Sequence, residues 1–226
     1  MSPGFYFIRT VYSIRPNRLM RLVYSRALWR IKTAEKKIYL SFDDGPHPRV
    51  TAYVLDLLSQ YRAKATFFCV GDNIRKYPET YQRVLAEGHS AGNHTYGHFN
   101  GWSTSASEYL RNAERCDQIM SLHQAATQTS QASHGKPLFR PPYGKMKRSQ
   151  YRALLQRYSV VMWDVLSADF DQRISGKECL RNVAEYAREG SIVVFHDSEK
   201  AKRNLEQALP GVLDAFSKRG FTFERL

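Results

Sequence analysis

Cysteine is scarce in this sequence: three residues among 226, at Cys69, Cys116 and Cys179, with no C-x-x-C pair. Three thiols cannot all pair with one another, and none has the spacing of a zinc–thiolate site. They read as packed, reduced side chains. Long apolar runs are missing too, since no stretch approaches the roughly 20 residues that a membrane-spanning helix needs. Phe5, Tyr6, Phe7 and Ile8 are apolar, but Arg9 closes that stretch well short of a secretory h-region. The expectation is a cytoplasmic protein, or one peripheral at the inner face of the membrane. Acids are in deficit, with 21 Asp and Glu against 34 Lys and Arg. What is present excludes a disordered chain, because 42% of residues are apolar and 13% aromatic. The length of 226 suits one domain of about 200 residues without staples.

The net charge of +13 is unevenly spread: residues 1–40 hold nine basic residues and a single acid, Glu35. Leu19, Leu22, Val23 and Ala27 recur there at helical spacing, with Arg18, Arg21 and Arg26 beside them. Two readings follow. The apolar stripe docks on the domain and leaves the arginines in water, or residues 1–34 lie on an anionic membrane surface. Nucleic acid is not expected as a partner, because no stacking aromatics interleave the basic residues in a known pattern.

From Lys36 onward, strand and helix patterns alternate. Ile38–Phe42, Ala65–Val70, Val160–Trp163 and Ile192–Phe195 are apolar runs of strand length, as strands buried on both faces should be. Shorter extended segments are expected at His89–Asn93, Leu138–Arg140 and Phe221–Phe223. Helical periodicity marks Val50–Tyr61, Glu79–Glu87, Ser149–Arg157 and Gly176–Arg188. A capping box at Ser105 and Glu108 opens a further helix to about Gln124. A loop is expected over Ala125–Lys136, and a helix over Asn204–Lys218 broken or kinked near Pro210. Repeated βα units imply an α/β fold with a parallel sheet and helices outside. About seven strands suit a (β/α) barrel better than an open sheet.

Chemistry-bearing residues fall at the strand exits. Asp43 and Asp44 follow the first strand, His94 and His98 the third, Arg140 and Tyr143 the segment near Leu138. Asp169 lies beyond Val160–Trp163, and His196 with Asp197 follows Ile192–Phe195. In a parallel sheet these exits share one face, where ligands bind. Each feature alone has an ordinary explanation. Asp-Gly-Pro makes turns, a histidine pair four apart is often packing, and an arginine beside prolines pins loops. Their conjunction is different. Two adjacent carboxylates stay ionised only beside cations. One carboxylate with two imidazoles supplies three metal ligands, one short of a closed tetrahedral site. The remaining carboxylate, histidine and arginine then offer base, acid and electrostatic support.

Five segments in order, Ser41-Phe42-Asp43-Asp44-Gly45-Pro46, His94-Thr95-Tyr96-Gly97-His98, Arg140-Pro141-Pro142-Tyr143-Gly144, Asp169 and Val193-x-x-His196, resemble the motifs of the polysaccharide deacetylases. These are the NodB-homology domains of carbohydrate esterase family four. The resemblance covers residues 36–226 and leaves 1–35 as a basic amphipathic N-terminal extension. It implies a distorted (β/α) barrel of about seven parallel strands. It implies removal of N-acetyl groups from a chitooligosaccharide-, peptidoglycan- or lipid-linked glycan. By the same resemblance Asp44, His94 and His98 hold a divalent metal, zinc first, with cobalt, nickel or manganese as alternatives. Asp43 is then the base for the attacking water, and Arg140 holds it ionised. The Tyr143 backbone N–H joins the metal in stabilising the oxyanion. His196 protonates the departing amine, with Asp169 fixing its tautomer and raising its pKa.

One departure stands out. The family's fourth motif usually reads Asp-Ser-x-Asp-Trp, whereas Leu166-Ser167-Ala168-Asp169-Phe170 stands here. The change from indole to phenyl bears on the substrate more than on the reaction. Trp102 and Tyr96 are candidates for stacking on a sugar or for ordinary packing. Two alternatives accompany the leading one: O-deacetylation of a xylan-like glycan, and a non-catalytic barrel that binds a glycan or a membrane surface.

Overall fold

A computed structural model of the chain describes residues 12–127 and 135–226. At its centre lies β1 (Lys37–Asp43), whose last four residues are all buried. To one side it pairs in parallel with β2 (Ala65–Cys69), followed outward by β3 (Ser90–Asn93), β4 (Leu138–Phe139) and β5 (Ser159–Val160). On its other side stand β7 (Ile192–His196) and then β6 (Val165–Leu166), also parallel. The short β8 (Thr222–Phe223) adds to the beginning of β1. Seven parallel strands thus form a curled half-barrel, and β8 pairs off that path.

Helices α2 (Val50–Gln60), α4 (Pro78–Ala86), α7 (Gly176–Tyr186) and α8 (Lys202–Lys218) cover the sheet. Val54, Leu58, Val183, Leu209 and Phe216 from them pack with Leu40 and Phe42 of β1 in one core. Each such side chain contributes roughly 1.5–3 kcal/mol by leaving water. Helices α5 (Ala106–Thr127) and α6 (Arg148–Arg157) flank the β3–β5 side. No helix among the described residues is long and apolar enough to cross a membrane.

The structure differs from the sequence expectations at four places. The segment Gly71–Lys76 is a separate helix, α3. The strand expected over Val160–Trp163 is replaced by β5 and β6 with a break between them. The break has a cause: Val161 pairs with Leu28, and the Met162 N–H donates to the Leu28 carbonyl at 2.7 Å. The helix across Pro210 is continuous as α8. The loop expected from Ala125 begins later, because α5 runs to Thr127; residues 128–134 lie outside the described residues, as does the apolar stretch at 5–8.

The N-terminal segment straps the opening of the half-barrel. At one edge the Leu28 N–H donates to Val160 of β5, and at the other the Leu166 N–H of β6 donates to Ile14. Tyr24, Ala27 and Trp29 are buried with Phe139, Leu154 and Trp163 in a second core. Between these contacts lies α1 (Arg18–Val23), capped by the Asn17 side chain on the Met20 N–H. Its Leu19, Leu22 and Val23 are not docked on the barrel but exposed.

Candidate active site

The exit of β1 separates two adjacent carboxylates. Along the strand, Ser41 and Asp43 share a face because side chains alternate. Asp44 follows with φ of +79°, a left-handed conformation that aspartate tolerates better than most residues. The alternation ends there, and the two carboxylates meet different partners. Asp43, almost fully buried, accepts from the Arg140 guanidinium at 2.7 Å through Oδ1. Asp44 Oδ1 lies 3.0 Å from His98 Nε2 and 3.6 Å from His94 Nε2. Burial works against the Asp44 charge, but the two imidazoles outweigh it and hold this carboxyl well below the usual range.

The turn that carries Asp44 is fixed from β7. Asp197 follows His196, is fully buried, and accepts from the Gly45 N–H at 3.0 Å and the Thr51 hydroxyl at 2.5 Å. A Cβ at Gly45 would fall 2.1 Å from Asp197 Oδ2, so only glycine allows this approach. Burial pushes the Asp197 carboxyl up to about 7. Its position was visible in the sequence, but its task of pinning the β1 turn was not.

His94 and His98 do not sit on a helix. They leave β3 through a turn with Thr95 and His98 at φ of +63° and +54°. Asn93 pins that turn, accepting from the Thr95 N–H at 2.8 Å and donating to Ala113 and Asp117. His94 Nδ1 lies 2.8 Å from the Arg140 carbonyl, which can only accept. Nδ1 therefore carries a proton, and Nε2 is the ring atom turned to Asp44. His98 Nδ1 is 3.1 Å from the Tyr143 hydroxyl, so it too turns Nε2 toward Asp44. One oxygen and two ring nitrogens lie within 4.8 Å of one another. This donor set fits a divalent ion of borderline softness such as zinc.

Arg140 is wholly buried and held on every side. It donates to the Ser41 hydroxyl at 2.8 Å and the Met162 carbonyl at 2.9 Å, and stands 4.0 Å over the Phe68 ring. Burial pulls its pKa down, and the charge of Asp43 works the other way. Ser41 escaped sequence reasoning, although its position two residues before Asp43 was the available signal. Tyr143 follows in a 3₁₀ turn at φ of +59°, its ring 60% exposed. No acceptor for its backbone N–H occurs among the described residues.

His196 is the Cα partner of Asp43 across β1 and β7. In parallel strands such partners stand about 4.8 Å apart with side chains on one face. Asp169 accepts from His196 twice, at 2.8 Å from Nδ1 and 2.8 Å from the backbone N–H. Burial opposes the imidazolium charge, but Asp169 outweighs it and raises the pKa to about 9. Phe170 meets His196 edge-on, with ring centroids 5.0 Å apart. Behind Phe170 stands Tyr12 of the N-terminal segment, at 5.1 Å. Of the two stacking candidates, Trp102 is 59% exposed, with the Lys145 ammonium 5.0 Å over its ring. Tyr96 is covered by the Arg115 guanidinium at 3.7 Å.

A profile of the family described as polysaccharide deacetylase matches residues 30–162. A peptidoglycan-N-acetylglucosamine deacetylase of Bacillus cereus is 34% identical over 197 residues, covering 86% of this chain and 88% of the relative. A chitooligosaccharide deacetylase of Azorhizobium caulinodans is 29% identical over 214 residues, covering 87% of this chain and 96% of the relative. Among solved structures, the Bc1960 peptidoglycan N-acetylglucosamine deacetylase superposes with a TM-score of 0.79 at 28% identity, over 89% of this chain and 91% of that one. The profile spans more than half of the sequence and the relatives nearly all of it: the chain belongs to the polysaccharide deacetylase family, hydrolases of the NodB-homology group.

Proposed function

We propose that this protein hydrolyses the N-acetyl groups of N-acetylglucosamine residues in a peptidoglycan- or chitooligosaccharide-like glycan. One observation carries the reading. A carboxylate held by a buried guanidinium and an imidazole held by a buried carboxylate are register partners on β1 and β7, and the Asp44–His94–His98 cluster forms where the exits of β1 and β3 meet on the same end of the sheet. That is a base and an acid flanking one reaction centre. The names of the relatives support the substrate class.

Asp44, His94 and His98 would hold the divalent ion, with zinc the first choice. When bound, it supplies Lewis-acid charge at the acetyl carbonyl and makes water more acidic. Asp43 takes the proton from the attacking water. Its Oδ1 is committed to Arg140, and no hydrogen bond to Oδ2 occurs among the described residues. The water oxygen adds to the carbonyl carbon, and the uncommitted Tyr143 N–H donates to the developing oxyanion. His196 donates to Asp169 through Nδ1, which places its second proton on Nε2. Nε2 delivers that proton to the nitrogen as the carbon–nitrogen bond breaks, leaving acetate and a free amine.

The test is acetate release from N-acetylchitooligosaccharides, peptidoglycan fragments and acetylxylan side by side, before and after chelation and zinc addition. Release from the N-acetylated substrates, lost on chelation and restored by zinc, is the expected result. Release from acetylxylan alone would make the protein an O-deacetylase. No release from any of them would leave a binding barrel.

A further inference from the structure

Seven large apolar side chains stand exposed among the described residues, and four of them, Leu19, Leu22, Val23 and Leu28, come from one short stretch. A fifth, Trp102, belongs to the loop before α5 and is 59% exposed. The orientation of α1 is the reverse of an ordinary surface helix, which turns its apolar stripe inward. It turns Arg21 inward, 2.7 Å from the fully buried Asp164 and 5.5 Å over Trp29. It leaves Leu19 and Leu22 67% and 73% exposed. Spacings of three and four put Leu19, Leu22 and Val23 on one face.

The charge around this face is of a single sign. Arg18 and Arg26 are exposed beside the leucines and enter no ion pair among the described residues. No Asp or Glu occurs in residues 1–34. Aliphatic side chains flanked by free guanidinium groups suit the boundary between acyl chains and phosphate headgroups. A basic groove for nucleic acid would need stacking aromatics between the charges instead.

We propose that Leu19, Leu22 and Val23, with Arg18 and Arg26, dock the protein on an anionic phospholipid bilayer. The strap is thereby more than a closure for the half-barrel. Tyr24, at the end of α1, donates to the Met146 carbonyl at 2.7 Å, three residues beyond Tyr143. Docking at α1 therefore brings the mouth of the site close to the lipid surface. The inference rests on the strap alone and stands whether or not the hydrolase reading does.

Co-sedimentation of the full chain with vesicles of phosphatidylcholine, with and without phosphatidylglycerol, tests it. Point variants serve better than truncation, because the strap is part of the second core. The parent is expected to pellet with the anionic vesicles, not with the neutral ones, and less so at high salt. Leu19→Glu with Leu22→Glu should lower the partition at least about tenfold, as should Arg18→Glu with Arg26→Glu. All four positions are exposed, so thermal unfolding of the variants should match that of the parent. A parent that stays in the supernatant overturns the proposal, and so does equal pelleting of the leucine variant. Self-association abolished by the leucine variant, without vesicle binding, would identify the face as a contact between copies and overturn it too.

Discussion

Asp43 and Asp164 are both buried and each meets an arginine at the same distance, 2.7 Å: Asp43 the buried Arg140, Asp164 the partly exposed Arg21. They differ in how the carboxylate is finished. Asp164 gives Oδ1 to Arg21 and Oδ2 to the Ser191 hydroxyl at 2.8 Å, so both of its oxygens are spent. Asp43 gives only Oδ1 to the guanidinium, while Arg140 also donates to Ser41, Met162 and Val161. In the Arg21–Asp164 pair the acid is closed and the base partly exposed; in the Arg140–Asp43 pair the base is buried and the acid keeps an oxygen. A buried ion pair is weak evidence of stabilisation in itself. The pattern of completion separates a tie from a reagent, because an open acceptor in a dry site has chemistry still to do.

The sharpest way to break this contrast is to remove charge from each aspartate in turn. Asp43→Asn keeps the shape and should lower kcat by roughly 10³-fold, within the range for a lost general base. Unfolding of this variant should stay cooperative. Asp164→Asn should leave kcat on a soluble substrate within about twofold of the parent and lower stability instead. Acetate-release kinetics paired with calorimetry read both effects. Equal kinetic damage from the two substitutions would erase the distinction.

A second carboxylate extends the comparison. Asp169 spends both oxygens, as Asp164 does, but on a titrating partner, His196. Titration of His196 by NMR in the metal-stripped protein should give a pKa of about 9. The sign follows from the raised value. The charged imidazole stabilises the fold fully below its unfolded value of about 6.5, and that contribution is lost as pH rises through about 9. Asp169→Asn removes the main opposition to burial, so the pKa should fall below about 6.5. At mildly alkaline pH the variant should lose roughly 10²-fold in kcat, for want of a proton to donate. An unchanged titration would show that Asp169 only positions the ring.

How much of this was legible in the sequence depends on range. β1, β2 and β7 were visible because each is a buried strand of five to seven residues with a nearly unbroken apolar run. The exits of β1 and β7 located Asp43, Asp44 and His196, and the shorter extended segments before them located His94, His98 and Arg140. β6 was not visible, because two residues carry no period and its pairing with Val193 and Val194 is remote in sequence. α3 was hidden by its length of six residues, its initial glycine and the lack of a side-chain cap. The partners that decide roles, Asp197 on the Gly45 turn and Tyr12 behind Phe170, meet over separations of 152 and 158 positions, which no local pattern records. The inward turn of Arg21 was unreadable for the same reason: the 3.6-residue period identifies a face, and the buried Asp164 decides which face goes in.

Arg21→Ala sharpens the structural half of the contrast. It leaves the Asp164 carboxylate buried with only Ser191 close by and Arg15 at 4.0 Å. Arg21 is itself 35% exposed, so water can reach part of the gap. The expected cost is about 1–3 kcal/mol of unfolding free energy, seen as a drop of several degrees in Tm. Acetate release from a soluble oligosaccharide should hold within about twofold. A change in kcat beyond tenfold would mean that the strap reaches the chemistry through Asp164.

The smallest effect is expected where strap and site do meet. The Tyr12 hydroxyl donates to Asp171 at 2.7 Å, and its ring supports Phe170, which in turn supports the His196 imidazole. Asp171 keeps Arg173 at 2.7 Å when the phenol is gone. Tyr12→Phe should therefore cost only about 0.5–1 kcal/mol and leave kcat unchanged. Tyr12→Ala removes the ring as well and frees Phe170 to move away from the imidazole edge. A two- to threefold loss of kcat, roughly 0.5 kcal/mol of barrier, is expected of Tyr12→Ala and not of Tyr12→Phe. Such a difference would assign the effect to ring packing and not to the hydrogen bond. Equal kinetics for the two variants would confine the strap to holding the half-barrel closed.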